Sequence, residues 1–193
     1  MTKKWLLLNL FGLCSLLAGI VLFLSIVRER AVNIVSAPSQ PTTAMRAAQP
    51  KAPNYISGEP NHLSIPSLGI NLDVIPGYYN ATSQKWTLTL DKVQFAAMTT
   101  PPNNQSGVTF MYGHARTNVF GSLPKIQPGA QAIVTTANGH TFYYTLDHNE
   151  VVAPTDSNSV FSYSGKPILT LQTCVGLFFQ KRDLITFRLD KAV

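Results

Sequence analysis

Hydrophobic positions follow two regimes along this chain. From Trp5 to Val27 they form one nearly unbroken run, interrupted only by Asn9, Gly12, Ser15, Gly19 and Ser25. Its length matches the roughly 20 residues a helix needs to cross a bilayer, against about 7–15 for the core of a secretory signal. Val35-Ser36-Ala37 is the nearest cleavage candidate, and Pro38 behind it disfavours the cut. The expectation is an uncleaved transmembrane anchor over 5–27, with residues 1–4 on the cytoplasmic side. Residues 28–60 lose every apolar period and turn to Ala, Ser, Thr, Gln and Pro, including Pro38, Pro41, Pro50 and Pro53. Such composition predicts an extended linker. Its last part, Tyr55 to Pro60, has a second reading as a lid lying back over the domain.

From residue 61 the pattern breaks into short alternating runs separated by turn residues. Leu63–Pro66 and Leu72–Ile75 flank a turn at Ser67-Leu68-Gly69, and Trp86–Leu90 alternates with period two. Val93–Met98 reads as a helical turn and Val119–Ile126 as a short helix stopped by Pro128-Gly129. Gly107–Tyr112 reads as a strand closing on Gly113-His114. Ala132–Thr136 and Thr141–Leu146 read as strands joined through Asn138-Gly139, a preferred two-residue hairpin turn. Val151-Val152 leads into a polar loop, and two further strands follow, Ile168–Thr173 and Leu184–Phe187. Many short strands with little helix predict a mainly β domain over 61–193, a barrel or sandwich.

Charge changes this picture little. Residues 1–60 carry six Lys/Arg against two Asp/Glu, and residues 61–193 carry nine against seven, so most of the net +6 lies in the leader. No basic cluster interleaved with aromatics appears, and nucleic acid is not an expected partner. Lys3 and Lys4 before the apolar run nearly balance Arg28 and Arg30 after it, so orientation is decided by what the domain does.

The chemistry concentrates at the last two strands. Cys174 is the only cysteine outside the apolar run, so the domain holds no internal disulfide. A lone thiol at a strand end is ordinarily a small buried hydrophobe. Catalysis would need a thiolate, a base or cation beside it, and a donor for the oxyanion on a substrate carbonyl. His114 follows a strand next to Gly113, and Arg182 is eight residues past Cys174, close enough to return across a tight turn. No metal is expected: His62, His114, His140 and His148 show no zinc-type spacing with each other or with a second cysteine. His62, His140 and His148 read as surface residues. A calcium site at Asp147, Glu150 and Asp156 is weighed, since clustered carboxylates suit that ion, and not favoured.

Thr170-Leu171-Gln172-Thr173-Cys174 matches the Thr-Leu-x-Thr-Cys signature of the sortases. Ile65-Pro66-Ser67-Leu68-Gly69-Ile70 resembles that family's first strand and turn, and Gly113-His114-Ala115-Arg116 its histidine motif. Phe120-Gly121-Ser122-Leu123, Gln127-Pro128-Gly129 and Val152-Ala153-Pro154-Thr155-Asp156 follow in the family's order, so the resemblance spans essentially residues 61–190. It implies a closed eight-stranded sortase barrel with short helices, outside the cell membrane on a single-pass anchor. It also implies a cysteine transpeptidase acting on an LPXTG-like sorting signal. Cys174 would be the nucleophile, His114 the general acid/base and Arg182 the oxyanion partner, with no cofactor required. The amine acceptor would be cell-wall precursor or a pilin lysine. A second apolar span is not seen near the C-terminus, which inclines the expectation to cell wall. Thr173, Phe178 and Phe179 are candidate substrate contacts, with core packing an equal reading for the two phenylalanines.

The loop Val175–Lys181 departs from the family in being short and in lacking a proline just after the cysteine. Arg182 is preferred to its neighbour Lys181 because it immediately precedes the last strand, and Arg188 lies too far along it. Three other readings remain. A papain-like peptidase would reverse the order of cysteine and histidine, and an L,D-transpeptidase would want Ser-x-Gly before the cysteine. A tethered binding module would leave His114, Cys174 and Arg182 unexplained.

Overall fold

The computed structural model describes residues 54–156 and 158–193. The segments read as N-terminus, membrane span and most of the linker lie outside these residues. Among the described residues ten strands are formed: β1 Pro60–Ile65, β2 Ile70–Gly77, β3 Tyr79–Asn80, β4 Lys85–Trp86, β5 Val93–Ala96, β6 Val108–Tyr112, β7 Gln131–Thr136, β8 Thr141–Val152, β9 Ile168–Val175 and β10 Lys181–Ala192. A four-residue helix, α1, covers Asn158–Phe161. Eight strands close into a barrel in the order β1-β2-β5-β6-β9-β10-β8-β7, while β3 and β4 pair only with each other. The pairs β2/β5 and β6/β9 are parallel and the rest antiparallel. Closure leaves the eight-strand sheet without edges.

Alternation sorts the side chains. Leu169, Leu171, Ile185 and Phe187 point inward with Leu63, Phe95, Met111 and Phe142 to form the main core. Full burial of each phenyl ring there contributes roughly 1.5–3 kcal/mol. The even positions of β6 and β10, namely Val108, Phe110, Tyr112 and Leu184, face outward into a second apolar cluster. Trp86 of β4 and Val160 and Phe161 at α1 pack against that cluster.

Several local expectations differ from the structure. Val93–Ala96 is a strand, not a helical turn: all four residues are buried, so no alternation marks them. Val119–Ile126 is a series of turns ending in a 3₁₀ turn over Leu123–Lys125. Gly121 and Pro124 stand inside the apolar period and prevent a continuous α-helical ladder. The alternating stretch from Trp86 to Leu90 pairs only at Lys85–Trp86, because β4 has just the two-residue β3 beside it. The β7–β8 hairpin has a three-residue loop, with Thr136 N–H donating to His140 O at 2.9 Å and Gly139 N–H to Thr136 O at 3.0 Å. A two-residue type I′ turn needs positive φ at both central residues, and here Gly139 has it (φ 90°) but Asn138 does not. β8 also runs six residues past Leu146, which puts His148 on a strand rather than in a loop.

The segment from Asn54 to Glu59 does lie back on the domain, but at the rim opposite Cys174. Asn138 Nδ2 donates to Ser57 O at 2.8 Å, Ile56 N–H to Asn104 Oδ1 at 3.0 Å, and Ala137 N–H to Glu59 O at 2.9 Å. It therefore closes the far end of the barrel and is not a lid over the candidate site.

Candidate active site

Strand register builds the site. The last ladder pair of the parallel strands β6 and β9 is Tyr112↔Gln172. Gly113 N–H still donates to Gln172 O at 3.1 Å, and two residues beyond the pair the chains carry His114 and Cys174. In the antiparallel pair β9/β10, Cys174 lies directly opposite Arg182. Opposed residues of such a pair are about 4.5–5.5 Å apart at Cα and project to the same face. The three candidates thus meet at one rim, each half-buried, with Cys174 a free thiol. Gly113 is required by close approach. A Cβ there would lie 2.9 Å from Val119 Cγ1 and 3.0 Å from Phe120 Cδ2, and Phe120 N–H bonds His114 O at 3.1 Å. The apolar segment 119–126 therefore seats the histidine.

The short turn between β9 and β10 controls the arginine. Gly176, Phe178 and Phe179 have φ of 89°, 104° and 58°, and Phe179 N–H closes the turn on Gly176 O at 3.1 Å. Positive φ at two phenylalanines is strained backbone of the kind that clusters at functional sites. The strained turn points the carbonyl of Phe179 back at β10. Arg182 Nη1 donates to Phe179 O and to Lys181 O, both at 3.0 Å. Those bonds use one guanidinium nitrogen, leaving the three donors on Nη2 and Nε for another acceptor. Phe178 and Phe179, read as substrate contacts, are 89% and 59% exposed and neither is buried in the core.

Thr173 and Asp183 form the layer beneath. They are cross-strand partners projecting into the barrel, the opposite face from Cys174 and Arg182, and are 1% and 2% exposed. Thr173 Oγ1 donates to Gly113 O at 3.3 Å, tying the cysteine strand to the histidine strand. Asp183 was not singled out from the sequence, although alternation with Ile185 and Phe187 places it inside. Its Oδ1 has no hydrogen-bond partner, and burial raises its carboxyl above the ordinary range. Folding therefore favours the neutral form. The stability this group contributes is intact below the unfolded carboxyl value, near 4, and is lost as pH rises through the raised folded value. Asp183→Asn is expected to raise the melting temperature by several degrees at pH 8 and to change it little at pH 4. A burial cost on the order of 1–3 kcal/mol supports that size. Equal shifts at both pH values, by calorimetry, would show that the carboxyl is not titrating in this range.

On the thiol's own face the wall is aromatic. Trp86 lies 5.1 Å from Tyr112 and 6.1 Å from Phe161 between ring centroids, and Phe110 lies 5.2 Å from Phe161. Tyr112 OH and Thr87 Oγ1 are 3.4 Å apart, and burial raises the phenol's pKa. Further along β9 and β10, a groove of about 940 Å³ is lined by Thr170, Thr186, Arg188, Asp147 and His148 among others, and by none of the three candidates. Asp147, weighed as a calcium ligand, is engaged by His148 Nδ1 at 3.0 Å and Arg188 Nη2 at 2.6 Å; these partners lower its carboxyl pKa. Among the described residues no group of three His, Cys, Asp or Glu is placed to hold a metal ion.

The family model described as the Sortase domain matches residues 63–188. No curated relative matches the chain. Among solved structures, the Group B Streptococcus Pilus Island 1 sortase C2 is similar at a TM-score of 0.57 and 23% identity, covering 67% of this chain and 73% of that one. Sortase C-1 from Actinomyces oris is similar at 0.57 and 23%, covering 67% and 71%. Sortase A from Corynebacterium diphtheriae is similar at 0.57 and 20%, covering 70% and 62%. At such identities these likenesses speak to the fold alone.

Proposed function

The chain belongs to the sortase family of cysteine transpeptidases, and from that premise we propose that it is a membrane-anchored enzyme cleaving LPXTG-like sorting signals and passing the acyl group to an amine. The observation that carries the proposal is the placing of Arg182 opposite Cys174 on the rim where the His114 strand also ends.

In this mechanism the Cys174 thiolate attacks the Thr carbonyl of the Thr–Gly bond. The carbonyl oxygen becomes an oxyanion, and the unused Arg182 donors stabilise it. As the C–N bond breaks, His114 protonates the leaving glycine amine, and a thioester to Cys174 remains. An incoming amine then attacks the thioester carbonyl, His114 takes up its proton, and the thiolate leaves. The product is a new amide. Thr173 acts by position, holding the two strands together. No cofactor takes part. Trp5–Val27 holds the protein in the cell membrane with the barrel outside.

Cell-wall precursor is the preferred acceptor, and a pilin lysine is the second reading that the family resemblance leaves open. A peptide-library cleavage assay read by mass spectrometry, with several amines present, tests both. Scission between Thr and Gly with an amine adduct on Thr is the expected outcome. Hydrolysis alone, whatever the acceptor, would refute transpeptidation.

A further inference from the structure

We propose that Leu177, Phe178 and Phe179 form a docking tip that seats the catalytic rim against the headgroup region of an anionic phospholipid bilayer. Three consecutive large apolar side chains stand 77%, 89% and 59% exposed on one turn. Runs of this kind on a surface are liabilities unless they meet a partner. The turn holds them out rather than leaving them loose. It is closed by Phe179 N–H on Gly176 O and clamped by Arg182 Nη1 on Phe179 O, with positive φ at both phenylalanines. Exposed Lys181 lies next to the tip, and exposed Arg116 lies on the neighbouring loop two residues past His114. Aromatic side chains backed by cations are the composition that favours an anionic membrane interface.

The aromatic and cationic composition of the tip argues for the bilayer as occupant, and the length of chain outside the described residues allows it. This step rests on the anchored reading proposed above. Residues 28–53 separate the apolar run ending at Val27 from the first described residue, Asn54. A chain of that many residues can reach at most about 90 Å. The longest barrel strands have 12 residues, or about 40 Å at the usual rise. That reach exceeds the strand length, so a described chain that begins at the far rim is compatible with membrane contact at the catalytic rim. Docking would bring the rim that carries Cys174 to the membrane surface.

The test uses the full chain in vesicles of phosphatidylglycerol and bromine-labelled phosphatidylcholine. Trp5→Phe removes the indole of the apolar run, Trp86 stays as a reference on the barrel wall, and Leu177→Trp reports the tip. The added emission from position 177 is expected to be blue-shifted and quenched by the brominated lipid, at least two-fold more than Trp86. Adding Phe178→Ser and Phe179→Ser should abolish that quenching. Emission at 177 indistinguishable from a water-exposed indole overturns the docking tip. So does quenching that persists in the double serine variant, because the reporter would then insert by itself. Resistance of the protein to alkaline carbonate extraction is measured in parallel. Its loss would refute the anchor, whereas the quenching result judges the tip in either case.

Discussion

Cys174→Ala is expected to abolish both peptide cleavage and amine transfer, with turnover falling to background, on the order of 10⁵-fold or more, as nucleophile removal does elsewhere. No other cysteine exists among residues 54–193, so no second thiol can take over acyl transfer. The fold should be untouched. Cys174 is half-buried at the end of β9, outside both apolar clusters, and its replacement by alanine should cost less than about 1 kcal/mol. An unchanged thermal melt together with loss of the mass-detected thioester adduct is therefore the paired result to look for. Retained transfer by this variant would end the assignment of Cys174 as nucleophile, whatever the melt showed.

The barrel was legible because most of its strands have one wet or half-wet face. Alternation in Ala132–Thr136, Thr141–Leu146 and Ile168–Thr173 marks strands, and turn residues mark their ends. The rim was legible for a related reason. A cysteine ending one strand and an arginine opening the next, eight residues on, can only face each other if the turn between them is tight. Most of what escaped reading lacks such a signature. Val93–Ala96 is buried on both faces, so its period vanishes. Val119–Ile126 carries a helical spacing, but Gly121 and Pro124 and the need to pack against Gly113 make it a plug of turns. Asp183 sits in an apolar run where its alternation with Ile185 and Phe187 was available, yet a charge pointing into a core goes against the usual preference. The exposure of Phe178 and Phe179 depends on positive φ at non-glycine residues, which composition does not announce.

Two of these features, the plug and the strained turn, meet Thr173 at one location. The plug segment sets His114 from one side, Thr173 ties its strand to β9 from within, and the strained turn holds Arg182 from outside. The reactive groups are thus placed by the backbone of three strand ends, and by hydrogen bonds to carbonyls, rather than by bonds among their own side chains. Such a site is preorganised by the barrel and keeps its side-chain donors for substrate.

Arg182→Ala should lower kcat by about 10²–10³-fold with a smaller change in KM, the signature of a donor that acts mainly on the developing oxyanion. The same side chain also clamps the turn through Nη1, so the alanine variant loses a structural contact worth roughly 0.5–1.5 kcal/mol. Arg182→Lys separates the two roles. A lysine retains the charge and can reach one carbonyl, but it lacks the planar fork that holds the turn with one nitrogen while offering the others to substrate. It should recover the melting temperature and only a small part of kcat. Lys181→Ala supplies the contrast: exposed at the first position of β10 and paired with Val175 instead of Cys174, it should leave turnover within about two-fold. Near-normal kcat in Arg182→Ala, with a fall in Lys181→Ala, would transfer the oxyanion role to the lysine. A fall in both that tracked the melting temperature would make Arg182 a clamp for the turn and leave the oxyanion to a backbone donor.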